Sequence, residues 1–198
     1  YHQLGRIAQD QQDFDMAKKW LLKGLAIFEK NNDEHNAAAA YHQLGRIAEE
    51  QRDFKAAEKW YLKSLKIEEK QGNEHGAAMT YHQLGIIAQE QQDFKTAEKW
   101  YLKALEIFEK QGNEYGAAIT FGQLGNLAGD QGQYIESGKW YIKSIFSFVN
   151  CNDPEGAKRN ADNYMITFRE APEEDRIKLK AMWEEAGLGP LPEEDETQ

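Results

Sequence analysis

The sequence predicts an all-α protein built as a stack of antiparallel helix hairpins closed by C-terminal capping helices. Three observations carry that expectation. One segment recurs every 40 residues, apolar residues inside each copy recur at spacings of three and four, and helix breakers are scarce until the C-terminal end. The copies open with YHQLGRIAQDQQDF at Tyr1, YHQLGRIAEEQRDF at Tyr41, YHQLGIIAQEQQDF at Tyr81 and a divergent FGQLGNLAGDQGQY at Phe121. Residues 41–80 and 81–120 agree at 31 of 40 positions. Of the four prolines, only Pro154 precedes residue 170.

Each copy reads as two helices, and the second copy shows why. Its first helix is expected from Glu34 or Asn36 through Gln51, with Ala37, Ala38, Tyr41, Leu44, Ile47 and Ala48 along one stripe. Asp53 stands where an N-cap is needed, because its carboxylate can accept a bond from a free amide of the next helix. The second helix is expected from Phe54 to about Lys70, with Phe54, Ala57, Trp60, Tyr61, Leu65 and Ile67 apolar. Gly72-Asn73 ends it, since Gly tolerates the left-handed conformation of a C-cap. Gly45 recurs as Gly5, Gly85 and Gly125 within helices, where Gly costs about 1 kcal/mol relative to Ala. A repeated costly residue implies close approach of a neighbouring helix.

The fourth copy departs from the others. Gly122 replaces His, Gly129 replaces Gln or Glu, and Ser137-Gly138 replaces Ala-Glu, substitutions expected to loosen the helices. Beyond it, Asp153-Pro154 starts a helix expected to run through Phe168, with Ala157, Ala161, Tyr164, Met165 and Phe168 on one face. A last helix is expected over Glu173–Ala186, with Ile177, Leu179, Met182 and Trp183 apolar. Terminal units of stacked repeats need a polar outer face, so residues 151–187 read as capping helices. The array is thus assigned to residues 1–150, the cap to 151–187, and an acidic, disordered tail to 188–198.

The net charge of −10 is unevenly placed: residues 170–198 hold ten acids and three bases, which leaves the array near neutral. No net basic face supports nucleic-acid binding. A single Cys151 excludes an internal disulfide and fits a reducing cytoplasm. No apolar run approaches the roughly 20 residues that cross a bilayer, so no membrane partner is expected. Because the chain opens inside a repeat, it reads as part of a longer protein whose first repeat is truncated.

The pattern Tyr41, Leu44-Gly45, Ala48, Ala57, Tyr61, Ser64, repeated in register from Tyr1 and Tyr81, resembles the tetratricopeptide repeat. The 40-residue period, against the usual 34, is similar to the variant of kinesin light chains and of bacterial signalling ATPases. The family's frequent proline at the end of the unit is absent here, Glu69 or Lys70 standing in its place. The resemblance implies a right-handed α-solenoid whose first helices line a concave face that contacts protein or peptide partners. It also implies a sensor or scaffold segment of a larger, bacterial signalling protein. On that face the resemblance selects His2, Arg6 and Gln9, then His42, Arg46, Glu49 and Glu50, then His82, Ile86, Gln89 and Glu90, and finally Asn126. These side chains are expected to be free of packing duties. Arg6 and Arg46 suit carboxylates, and Ile86 adds one apolar spot.

Other patterns read as structural. His2, His42 and His82 come from successive units about 10 Å apart, too far to share a zinc ion at bonds of about 2 Å. Trp20, Trp60, Trp100 and Trp140 form a ladder expected to pack between units. Lys59, Lys63, Lys66 and Lys70 with Glu58 and Glu69 read as a solvated face with i,i+4 pairs. No phosphate loop, nucleophile motif or metal-spaced cluster is present, so neither catalysis nor a cofactor or metal is expected. Adjacent pairs such as Glu49-Glu50 diverge on a helix and make no acid–base couple. The alternative to a recognition module is a structural spacer, or a segment that self-associates through its array ends.

Overall fold

The computed structural model describes residues 13–191 and falls into two compact units, residues 1–107 and 108–198. The described residues of the first unit form α1 (Phe14–Lys30), α2 (Glu34–Glu50), α3 (Phe54–Gln71), α4 (Glu74–Glu90) and most of α5 (Phe94–Lys110). The second unit contains α6 (Glu114–Asp130), α7 (Tyr134–Asn150), α8 (Pro154–Glu170) and α9 (Glu173–Glu185). No strand occurs among the described residues. Each helix from α1 to α8 packs on its sequence neighbour within its unit as antiparallel hairpins, which is the architecture expected from the repeat. The expected helix boundaries agree to within about two residues.

The caps explain those boundaries. Asp13, Asp33, Asp53, Asn73, Asp93, Asn113 and Asp153 each accept a bond from the amide three residues on. The preceding residue is left-handed in each turn, and Gly72, Gly112 and Gly132 take that conformation without strain. Arg52 and Gln92 adopt it as well, at φ 58° and 60°.

Within the first unit the core runs through Leu21, Leu25, Ala40, Tyr41, Leu44 and Ile47. Gly45 lies against the Tyr61 ring: a methyl added there would sit 2.7 Å from it. Gly85 faces Tyr101 and Gly125 faces Tyr141 in the same way. The recurrent glycine is therefore a seat for the tyrosine of the second helix.

The second unit closes differently from expectation. Gly122 and Gly138 do not loosen their helices; they admit neighbours. A methyl on Gly138 would lie 2.5 Å from Leu179, and one on Gly122 would lie 2.6 Å from Asn160 Oδ1. The α9 helix is held by buried Leu179 and Trp183, and by Tyr164, whose hydroxyl donates to the Leu179 carbonyl at 2.6 Å. Ile177, expected in its apolar stripe, is 64% exposed. Leu188 and Leu191, assigned to the tail from sequence, pack on the core of this unit. No described helix is long and apolar enough to cross a membrane.

Candidate functional site

The sites predicted on the first helices divide into exposed residues and residues bound up in the hairpins. His2, Arg6 and Gln9 lie outside the described residues. Arg46, Glu50 and Glu90 are exposed, Ile86 partly so. Arg46 lies 3.8 Å from Glu50 one turn on, and Arg52 reaches Glu90 at 3.2 Å, tying the ends of α2 and α4 together.

His42, Glu49, Gln89 and Asn126 correct the expectation of free side chains. The Tyr61 hydroxyl donates to Glu49 at 2.6 Å and that of Tyr101 to Gln89 at 2.9 Å. A buried phenol needs such an acceptor. Position 129 is Gly in the fourth copy, and Tyr141 donates instead to Asn126 Oδ1 at 2.6 Å. His42 packs edgewise on Tyr61 with centroids 5.2 Å apart, and His82 lies on Tyr101 at 5.6 Å. Burial, helped by the nearby Arg46 charge, pushes His42 down to about 4; burial does the same to His82. Both imidazoles are neutral at pH 7 and serve the hairpin interface. Burial also pushes the Glu49 carboxyl up, against the Tyr61 bond, which lowers it.

The tryptophan ladder has the packing role expected of it. Trp60 stacks on Tyr41, Trp100 on Tyr81 and Trp140 on Phe121, at centroid separations of 5.7, 5.4 and 5.8 Å. The lysines differ from expectation: Lys63, Lys103 and Lys143 lie over these rings rather than pairing along the helix. Lys70 reaches across its hairpin to Glu34 at 2.5 Å.

Sequence reasoning missed residues on α8. Arg159 and Asn163, assigned to the cap, line a 240 Å³ cleft between α6 and α8 together with Gln123 and Asn126. The signal available was Asn163, which stands in register with Gln43, Gln83 and Gln123 at the fixed period. Among the described residues, no three His, Cys, Asp or Glu side chains converge on a point where a metal could sit.

A stack of helix hairpins with a polar first-helix face, and no described constellation for chemistry, defines a helical-repeat interaction fold. The tetratricopeptide repeat profile matches residues 1–70 and 76–145, and the chain belongs to the tetratricopeptide repeat family. Solved structures agree on the fold. BtubC (BKLC) from P. vanneervenii superposes with TM-score 0.80 at 20% identity, covering 98% of this chain and 82% of that one. The signal transduction ATPase PH0952 from Pyrococcus horikoshii, a STAND protein with a tetratricopeptide repeat sensor, gives 0.80 at 17% identity. This chain is covered to 96% there but spans only 30% of that protein. A kinesin light chain with nearly identical TPR-like repeats from Podosopora anserina gives 0.74 at 15% identity, with 94% and 91% covered. A search of curated proteins finds no match.

Proposed function

We propose that this chain is a recognition segment that binds a protein or peptide partner through the face of its first helices, within a larger cytoplasmic signalling protein of bacterial type. The observation that carries the reading is the contrast between two classes of side chain on that face. His42, Glu49 and Gln89 are taken up by the hairpins, whereas Arg46, Glu50, Ile86 and Glu90 project outward. Copies that agree at 31 of 40 positions differ here, Arg46 becoming Ile86 and Glu49 becoming Gln89. The face therefore changes in charge and polarity along the array while the packing beneath it stays the same. Such a surface suits an extended segment or a partner helix. The neighbour described as a signal transduction ATPase with a tetratricopeptide repeat sensor supports a sensing role. Residues 151–187 act as the closing cap, and no step of catalysis is assigned to the chain.

The test is affinity capture with wild type and an Arg46→Glu, Ile86→Glu double variant, followed by direct titration of each captured protein. The reading expects the variant to bind at least about tenfold more weakly, because a central interface contact is worth more than about 1 kcal/mol. Equal affinity would overturn recognition by this face.

A further inference from the structure

We propose that α8, besides closing the second unit, is a recognition helix: with α6 it forms a cleft for an extended peptide segment that carries an Asp or Glu side chain. The proposal rests on the reading of the chain as a protein-recognition module and names the partner chemistry. In the second and third copies the residue after the motif's aromatic is His42 or His82, packed against a tyrosine ring. In the fourth it is Gly122. The missing side chain leaves the 240 Å³ cleft, open to solvent between α6 and α8.

The lining is unusual for an incidental crevice. Four carboxamides, Gln123, Asn126, Asn160 and Asn163, converge on it. Asn126 is internally satisfied, donating to Gln123 Oε1 at 3.0 Å and accepting from Tyr141. Asn160 is only 6% exposed; its Nδ2 donates to the Gly156 carbonyl at 2.9 Å, and its Oδ1 points at Gly122 with no donor among the described residues. A buried acceptor aimed into an open cleft is costly unless something supplies a hydrogen bond. Gln123 Nε2 and the Asn163 amide likewise have no protein partner among the described residues. Carboxamides offer a donor and an acceptor at the spacing of a peptide group, so together they match an extended backbone.

Arg159 sits at the same rim, exposed and with no ion pair among the described residues. Its planar fork pairs with a carboxylate through two bonds. One guanidinium fits one carboxylate, whereas a nucleic-acid strand would need a run of bases. Tyr115, 51% exposed and edge-on to Phe148 at 5.7 Å, supplies an apolar wall for the neighbouring residue of the segment.

The experiment selects a display library of random linear peptides on the whole chain, then titrates the enriched peptide by fluorescence anisotropy against variants. Enriched peptides are expected to share an acidic residue. Arg159→Glu is expected to weaken binding at least about tenfold, the loss of one charge-assisted bidentate contact. Lys158→Glu, the same charge change on a neighbouring exposed residue outside the cleft, is expected to leave affinity within about twofold. Gly122→His refills the cleft and is expected to abolish binding; Asn163→Ala, with no contact in the fold to lose, gives the same direction should Gly122→His fail to fold. Peptides lacking acids, or equal affinity of Arg159→Glu and wild type, overturn the proposal. Binding that depends on Arg46 and Ile86 but not on Arg159 overturns it while leaving the first-helix reading intact. No enrichment of any peptide overturns both.

Discussion

Replacing Glu68 with Phe should stabilise the first unit, although it removes a buried hydrogen bond. Position 68 is the slot that Phe28, Phe108 and Phe148 fill in the other copies. Phe108 and Phe148 are each 2% exposed, with ring atoms close against Gly116 and Gly156. Glu68 is equally deep, at 6%, and Gly76 keeps the same space open beside it. One carboxylate oxygen accepts from Ser64 at 3.1 Å, whereas Oε2 is buried without a well-formed hydrogen bond, as is the Thr80 hydroxyl nearby. Burial consequently pushes the Glu68 carboxyl above its ordinary range, against the lowering effect of those hydroxyls. Burying a Phe side chain contributes about 1.5–3 kcal/mol, and the charge no longer has to be desolvated. Ser64 retains its bond to the Ala38 carbonyl at 2.8 Å. A net gain of about 2 kcal/mol at pH 7 is expected.

Because the folded-state pKa is raised, the native state holds this proton more tightly than the unfolded chain does. The penalty in the wild type is fully present above the folded pKa and fades as pH falls toward the unfolded value of 4.5. Urea unfolding of both proteins, followed by far-ultraviolet circular dichroism at several pH values, reads this directly. The midpoint of the variant should exceed that of wild type at pH 7, and the gap should narrow on acidification. A variant less stable than wild type at pH 7, or a gap that widens on acidification, would refute the reasoning. Glu68→Gln separates the two contributions: it removes the charge and adds no ring.

The histidines titrate in the opposite sense. Their folded-state values lie below the ordinary 6.5, so their contribution is present above pH 6.5 and is lost as pH falls toward about 4. A His42→Gln, His82→Gln variant should lose less stability than wild type between pH 7 and pH 4.5, as denaturant midpoints will show. Gly45→Ala should destabilise by about 1–3 kcal/mol, since the methyl meets the Tyr61 ring at 2.7 Å. Gly129→Ala meets nothing closer than 3.6 Å and should gain up to about 1 kcal/mol from helix propensity; thermal unfolding of the pair checks both signs. Asp53→Ala should cost about 1 kcal/mol by removing the bond to the Ala56 amide, measurable in the same assay.

Much of this fold was legible because the signals are local and repeated. Apolar spacing marked the helices, Asp53 and Gly72-Asn73 marked their ends, and Gly45 betrayed a close approach. Helical period identifies which face a residue occupies, but not how far a neighbour's polar end reaches. That is why Glu49 and Gln89 looked free on the first helix while the hydroxyls of Tyr61 and Tyr101 were already bonded to them. Gly122 and Gly138 looked like loosening substitutions because their purpose lies on α8 and α9, Asn160 and Leu179 filling the vacated space. Arg159 carried no signal of its own, since α8 departs from the motif and only Asn163 keeps the register. Ile177 shows the limit of apolar pattern: α9 meets its unit along Leu179 and Trp183 alone.

The central claim is that first-helix surface, not chemistry, is what the chain offers a partner. Nitrogen-15 chemical-shift mapping during titration with the library-selected peptide tests it most directly. The account predicts perturbed amides on α6 and α8 around Asn126, Arg159 and Asn163, or on α2 and α4 around Arg46 and Ile86. Shifts confined to the tryptophan-bearing helices α3, α5 and α7 would contradict it.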